Sequence, residues 1–200
     1  MRERPILFSA PMVRAILAGT KTQTRRVVKA RKDCDFGCEL APHELAGEAN
    51  GGDFRNAYCA PGDRLWVREA WCTSAAFDKT APKELPKDAP ITYLAGGPHH
   101  RFSRYRPPMF MPRWASRITL EVTGVRVERL QDISEADAIA EGIAKPAGSQ
   151  FWHADPRGSS LPGGTPQWAF RNLWESINGP GSWDANPWVW VVEFKRAEVA

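Results

Sequence analysis

The chain reads as a mainly β, α+β fold: a small closed or partly open barrel of about six strands with three short helices and long loops. Three observations predict it. Short apolar runs with period-two alternation recur along the 200 residues without regular βαβ alternation, which argues against a parallel doubly wound sheet. Seventeen prolines and nine tryptophans favour β structure with stiff connections over a helical bundle. Apolar content of 42% and charged content of 25% are those of an ordinary globular chain, and the length suits one core.

Ile6-Leu7-Phe8 reads as a first strand, and Pro11 opens a helix over about residues 11–18 with Met12, Ile16 and Leu17 inward. Gly19 can end that helix in a left-handed conformation. A β-prone segment, Thr22–Val28, follows with no apolar residue before Val27. After the turn Pro61-Gly62-Asp63, the run Arg64–Trp71 alternates as a half-buried strand. Ile118–Val122 and Val125–Leu130 read as a strand pair around Gly124. Ser134 is a natural N-cap for a helix with Asp137 at its third position and Ile133, Ala136, Ile139, Ala140 and Ile143 as its apolar side. A further helix covers about Gln167–Ile177, and Trp188–Phe194 closes the fold. The whole is one domain, residues 1–200, with insertions at about 29–60, 76–112 and 146–165. No internal repeat is evident.

Net charge is +4, too small to imply nucleic-acid binding by itself. Its distribution is uneven: residues 1–32 hold nine Lys or Arg against Glu3, and residues 101–129 hold seven Arg against Glu121 and Glu128. Two such segments brought together would suit phosphate, whereas scattered solvated arginines would not. No apolar run approaches the roughly 20 residues that span a bilayer, and the N-terminus lacks a signal peptide's apolar stretch. A cytoplasmic protein with reduced or metal-bound cysteines is expected.

The most informative stretch is Gly19-Thr20-Lys21-Thr22-Gln23-Thr24-Arg25-Arg26. A strand entry without an apolar face needs a polar counterpart, and lysine, threonine and arginine together suit an anionic or carbonyl-bearing ligand. Within Cys34-x3-Cys38-x4-His43-x15-Cys59 the thiolates and imidazole are zinc's preferred ligands, with Cys72 an alternative fourth; the spacing has no C-x2-C pair, and a metal there would be structural. Arg101 to Arg106, with Phe102 and Tyr105, alternates cations and rings as a base-stacking surface does, or as a loop anchored by its aromatics does. His99, His100 and His153 have no evident partner, and no Ser-His-Asp order, phosphate loop or dinucleotide fingerprint is present.

Three separated motifs resemble one family. The Gly19–Arg26 stretch resembles the signature opening the ASCH domain, a PUA-like β-barrel; Pro61–Glu69 resembles the family's next strand; Leu130–Ile143 and the strand through Phe194 resemble its later helix and closing strand. Longer phage and prophage members resemble the chain as well. The resemblance covers most of the core and none of the three insertions. It implies a cytoplasmic PUA-like β-barrel acting as a hydrolase, an amidohydrolase removing the acetyl group from N4-acetylcytidine or a related modified nucleoside, with no cofactor required. Lys21 would be the base, Thr24 the nucleophile and Glu141 the acid. From the residues themselves, Thr22, Arg25, Arg26, Arg68 and Glu69 are candidates to contact substrate; Glu69 competes with Glu141 as the carboxylate, and if buried it needs a partner such as Arg25 or Arg26. The alternative it implies is a non-catalytic module binding RNA or a modified base. On an ideal strand Lys21 and Thr24 point to opposite faces, so the catalytic reading requires a turn after Gly19.

Overall fold

The computed structural model describes residues 1–96, 103–155, 157 and 161–197. In chain order its elements are β1 (Glu3–Leu7), α1 (Ala10–Leu17), β2 (Gln23–Val27), β3 (Arg31–Lys32), β4 (Glu39–Leu40), α2 (Pro42–Asn50), β5 (Arg64–Arg68), β6 (Trp71–Thr73), β7 (Ile91–Tyr93), β8 (Thr119–Arg129), α3 (Glu135–Ala140), α4 (Pro166–Asn178) and β9 (Trp188–Arg196). The molecule is mixed α/β: one five-stranded sheet in the order β1-β5-β8-β9-β2, two small strand pairs, β3-β4 and β6-β7, and few helices.

Within the main sheet β1 runs parallel to β5, with Leu7 opposite Arg68, and the remaining pairs are antiparallel. The sheet is open among the described residues, with β1 and β2 as its edges. A side chain spans the gap between them: Arg26 Nη2 donates to the Leu7 carbonyl at 3.0 Å.

The interior strand β9 is buried on both faces, which accounts for its apolar run. Trp190, Val192 and Phe194 pack with Ile6, Leu65, Val67 and Leu120, under α1 (Met12, Val13, Ile16) and α2 (Leu45, Ala46, Ala49). Val189 and Val191 face the other way, onto Ile133, Ala138 and Ile143 around α3 and Phe170 and Trp174 of α4. Each such fully buried apolar side chain contributes about 1.5–3 kcal/mol. A third cluster gathers Trp71, Leu85, Met111 and Ala115.

Several element boundaries differ from expectation. Thr119–Arg129 form one strand, β8, rather than the expected strand pair, because a bulge between Val122 and Gly124 absorbs the glycine. A Cβ at Gly124 would lie 2.7 Å from Glu193 Oε2, so the flexible Glu193 side chain would have to shift to admit one. The run Arg64–Trp71 stops at Arg68; Trp71 begins a separate strand, β6, paired with β7. Helix α2 lies within residues 29–60 and supplies core residues, so this segment is not wholly outside the core. Ser134 caps α3 as expected, its Oγ accepting from Asp137 N at 3.0 Å.

Candidate functional site

Gly19, at φ +75°, ends α1 and turns the chain so that Lys21 lies outside the regular strand, bridged to Glu141 at the end of α3. The Thr22 amide donates to Ala140 O at 2.8 Å, tying the start of β2 to α3. Gly142, at φ +99°, lets the chain leave the helix there; a Cβ on it would come within 3.1 Å of Ala15 Cβ and 3.2 Å of Lys21 Cβ.

Lys21 is buried, and all three ammonium hydrogens have acceptors: Gln23 O at 2.8 Å, Glu141 O at 2.7 Å and Glu141 Oε2 at 2.8 Å. The other carboxylate oxygen, Oε1, accepts from Arg25 Nη1 at 3.2 Å. Arg25 also pairs with Glu128 and, at 3.4 Å, with Asp137. Asp137 accepts from Gln23 Nε2 at 3.1 Å and from Arg126 Nη2 at 2.9 Å. Arg126 further pairs with Glu128 and Glu193. Every charge in this network has an opposite partner, as buried charges require.

Alternation along β2 sorts the remaining residues. Gln23 and Arg25 face α3, with the Arg25 guanidinium 5.8 Å from the Phe170 ring centre. Thr24 and Arg26 face the β1 edge: Arg26 Nη1 donates to Thr24 Oγ1 at 3.1 Å, and its guanidinium lies 5.5 Å from the Phe8 ring centre. The Lys21 amine is also 5.5 Å from that centre, so the turn after Gly19 brings Lys21 to the ring shared by the Thr24–Arg26 side. Lys21 Nζ makes no hydrogen bond to Thr24 Oγ1; its acceptors are those of Gln23 and Glu141.

Thr24, Arg25, Arg26 and Glu141 line a cavity of about 380 Å³ between the two sheet edges and α4, with Phe8, Phe170 and Trp174 among its walls. Burial holds the Lys21 ammonium below the usual lysine range, the neighbouring Glu141 opposes this, and Arg26 and Arg25 push it further down. Burial alone would raise the Asp137 carboxyl, but hydrogen bonds from Gln23 and Ser134 and the charges of Arg25 and Arg126 hold it below the ordinary value.

The other sequence-selected residues fall elsewhere. Thr22 is exposed. Arg68 donates to Met109 O at 3.2 Å and stacks 4.6 Å over Trp66. Glu69 is buried, but its partner is Arg117, through Nε at 2.8 Å and Nη2 at 3.0 Å, in place of the expected Arg25 or Arg26. Cys34, Cys38, His43 and Cys59 are not brought together: among the described residues no group of three or more His, Cys, Asp or Glu is placed to hold a metal. Cys34 and Cys38 are exposed, while Cys59 sits in the apolar core with its thiol pushed up to about 12 by burial. Arg106 is buried against Trp71, 5.3 Å over its ring, and Tyr105 is exposed; His99, His100, Arg101 and Phe102 lie outside the described residues.

Sequence reasoning missed Gln23, Glu128 and Asp137 as partners of the basic stretch, and Phe170 and Trp174 as cavity walls. The period-two pattern of β2 held a signal for Gln23, which shares a face with Arg25.

Fold and site together define a mixed α/β protein with an aromatic-walled pocket over a buried lysine–carboxylate pair. No protein-family model, curated protein or solved structure matches the chain. Among the described residues no helix is long and apolar enough to cross a membrane.

Proposed function

We propose that the chain is an ASCH-type, PUA-like protein, its open sheet corresponding to the barrel, and that it is an amidohydrolase acting on N4-acetylcytidine or a closely related modified nucleoside. The observation that carries the reading is the meeting of Lys21 with Glu141, which itself lines, with Thr24, a pocket walled by aromatic rings. A pocket of about 380 Å³ lies within the range for a small ligand and suits one nucleoside.

The chemistry follows from the pair. The route needs one proton to cross the 2.8 Å Lys21–Glu141 bond, leaving a neutral amine and a carboxylic acid, and burial of Lys21 eases loss of that proton. The amine then takes the Thr24 hydroxyl proton as Oγ attacks the acetyl carbonyl. The Glu141 acid protonates the departing cytosine nitrogen, and water releases acetate from the threonine ester. Arg26, already 3.1 Å from Thr24 Oγ1, stands where negative charge develops on the carbonyl oxygen. This route calls on no cofactor.

One observation favours a second reading, a non-catalytic module that binds RNA or a modified base. Lys21 spends its hydrogen bonds on Gln23 and Glu141, and Thr24 accepts from Arg26 instead. Incubation with N4-acetylcytidine separates the two. The enzyme releases cytidine, and Lys21→Ala or Thr24→Ala reduces release by about a hundredfold or more. Binding of the nucleoside or of RNA without turnover by the wild-type chain sinks the hydrolase reading and leaves the module.

A further inference from the structure

Two arginines in this molecule hold buried carboxylates in different ways. Arg117 gives both arms of its fork to Glu69, through Nε at 2.8 Å and Nη2 at 3.0 Å. Arg25, whose side chain is wholly buried, gives Glu141 a single nitrogen, Nη1, at 3.2 Å. Its Nη2 makes a closer contact with Glu128 Oε1 and stands 3.4 Å from Asp137 Oδ2. Register accounts for the split. Arg25 of β2 and Arg126 of β8 pair with Val191 from opposite sides, so both point to the α3 face, with Glu128 two residues beyond Arg126. Arg126 in turn pairs with Glu128, Asp137 and Glu193, and α4 meets Arg25 with the Phe170 ring. Glu141 itself faces the positive charges of Lys21, Arg25 and Arg26. Beside Lys21 and an undivided Arg25, it would be held firmly as an anion. Sharing Arg25 among three carboxylates weakens that hold.

We infer that Glu128 is a positioning residue: acting through Arg25, it draws the guanidinium off Glu141 and so lets that carboxyl take the proton it shares with Lys21. The inference rests on the hydrolase reading, in which Glu141 is the acid, and names what keeps it able to serve. Activity requires the Lys21–Glu141 pair to carry one proton. A second proton, taken up on Glu141, leaves the lysine charged and unable to act as base. With Glu128 neutral, Arg25 closes on Glu141 and a nearby negative charge is lost. Both changes make Glu141 bind a proton less readily. The acid limb of activity therefore moves to lower pH, and the shared proton stays more with Lys21.

Glu128→Gln keeps the length of the side chain and removes its charge. The pH profile of kcat with N4-acetylcytidine, and the titration of the Glu141 carboxyl by carbon NMR, are compared with wild type. The expected result is that both the acid limb and the carboxyl titration move to lower pH by about one unit. At the optimum kcat falls about tenfold, with KM near wild type. Arg126→Gln frees Glu128 and Asp137 to hold Arg25 more closely, so it moves both readouts the other way. That variant carries the test even where Glu128→Gln does not fold. A shifted carboxyl titration with no turnover by any of the proteins defeats the hydrolase reading and retains the inference. Turnover with coincident acid limbs and titrations overturns the inference and retains the hydrolase. A lowered melting temperature with neither readout moved also overturns it, since Glu128 would then serve only to neutralise a buried arginine.

Discussion

Two buried carboxylates divide this molecule. Glu141 is 3% exposed and Glu69 2% exposed, and each is ion-paired through both oxygens. Glu69 meets a single arginine in a planar two-point contact, and Arg117 retains 30% side-chain exposure over the Tyr93 ring. Glu141 is shared by a lysine and an arginine whose side chains are wholly buried, and it borders a cavity together with a threonine. Burial with a charged partner therefore does not distinguish a site. Convergence of several charges on a space large enough for a ligand does.

The largest effects break the comparison at its centre. Glu141→Ala strands the buried Lys21 ammonium, while Arg25 keeps Glu128 and Asp137, and is expected to cost about 3–5 kcal/mol in chemical denaturation. Glu69→Ala is expected to cost less, about 1–3 kcal/mol, because Arg117 can turn to water. Equal losses would mean that the two environments are energetically alike. Next in size, Gly142→Ala forces a side chain into φ +99° and against Ala15 and Lys21; a loss of about 1–3 kcal/mol is expected, with the Lys21–Glu141 bridge disturbed.

A smaller effect sharpens the role of the lysine. Because burial lowers the Lys21 pKa in the folded state, the folded chain binds fewer protons than the unfolded one between that lowered value and 10.5. Stability then rises with pH across this window and gains nothing from this group below it. Lys21→Met, with Arg25 still holding Glu141, removes that rise. Denaturation at a series of pH values checks it, and an unchanged slope in the variant would contradict the assignment.

Much of this was legible in the chain. The inward Met12 and Ile16 of α1, the Ser134 cap and the apolar run of β9 each have a local cause and appear where that cause puts them, whereas Leu17, read as inward, is exposed. Lys21 with Glu141 was reachable only through resemblance, since 120 residues separate them and no local rule links them. The Val122–Gly124 bulge read as a turn because a glycine between alternating runs signals either, and the pairing of β8 with β9 on both sides of it distinguishes them. The Arg117 partner of Glu69, the burial of Cys59 in the core and the α4 cavity wall depend on which strands become neighbours, which spacing alone does not specify.

The most direct measurement sets the two carboxylates side by side: cytidine release from N4-acetylcytidine by wild type, Glu141→Gln and Glu69→Gln, each verified folded. Glu141→Gln is predicted to lose about 10²–10⁴-fold in kcat, with Glu69→Gln near wild type. Equal rates in the two variants, or a greater loss in Glu69→Gln, would contradict the assignment of the site to the Lys21–Glu141 pair.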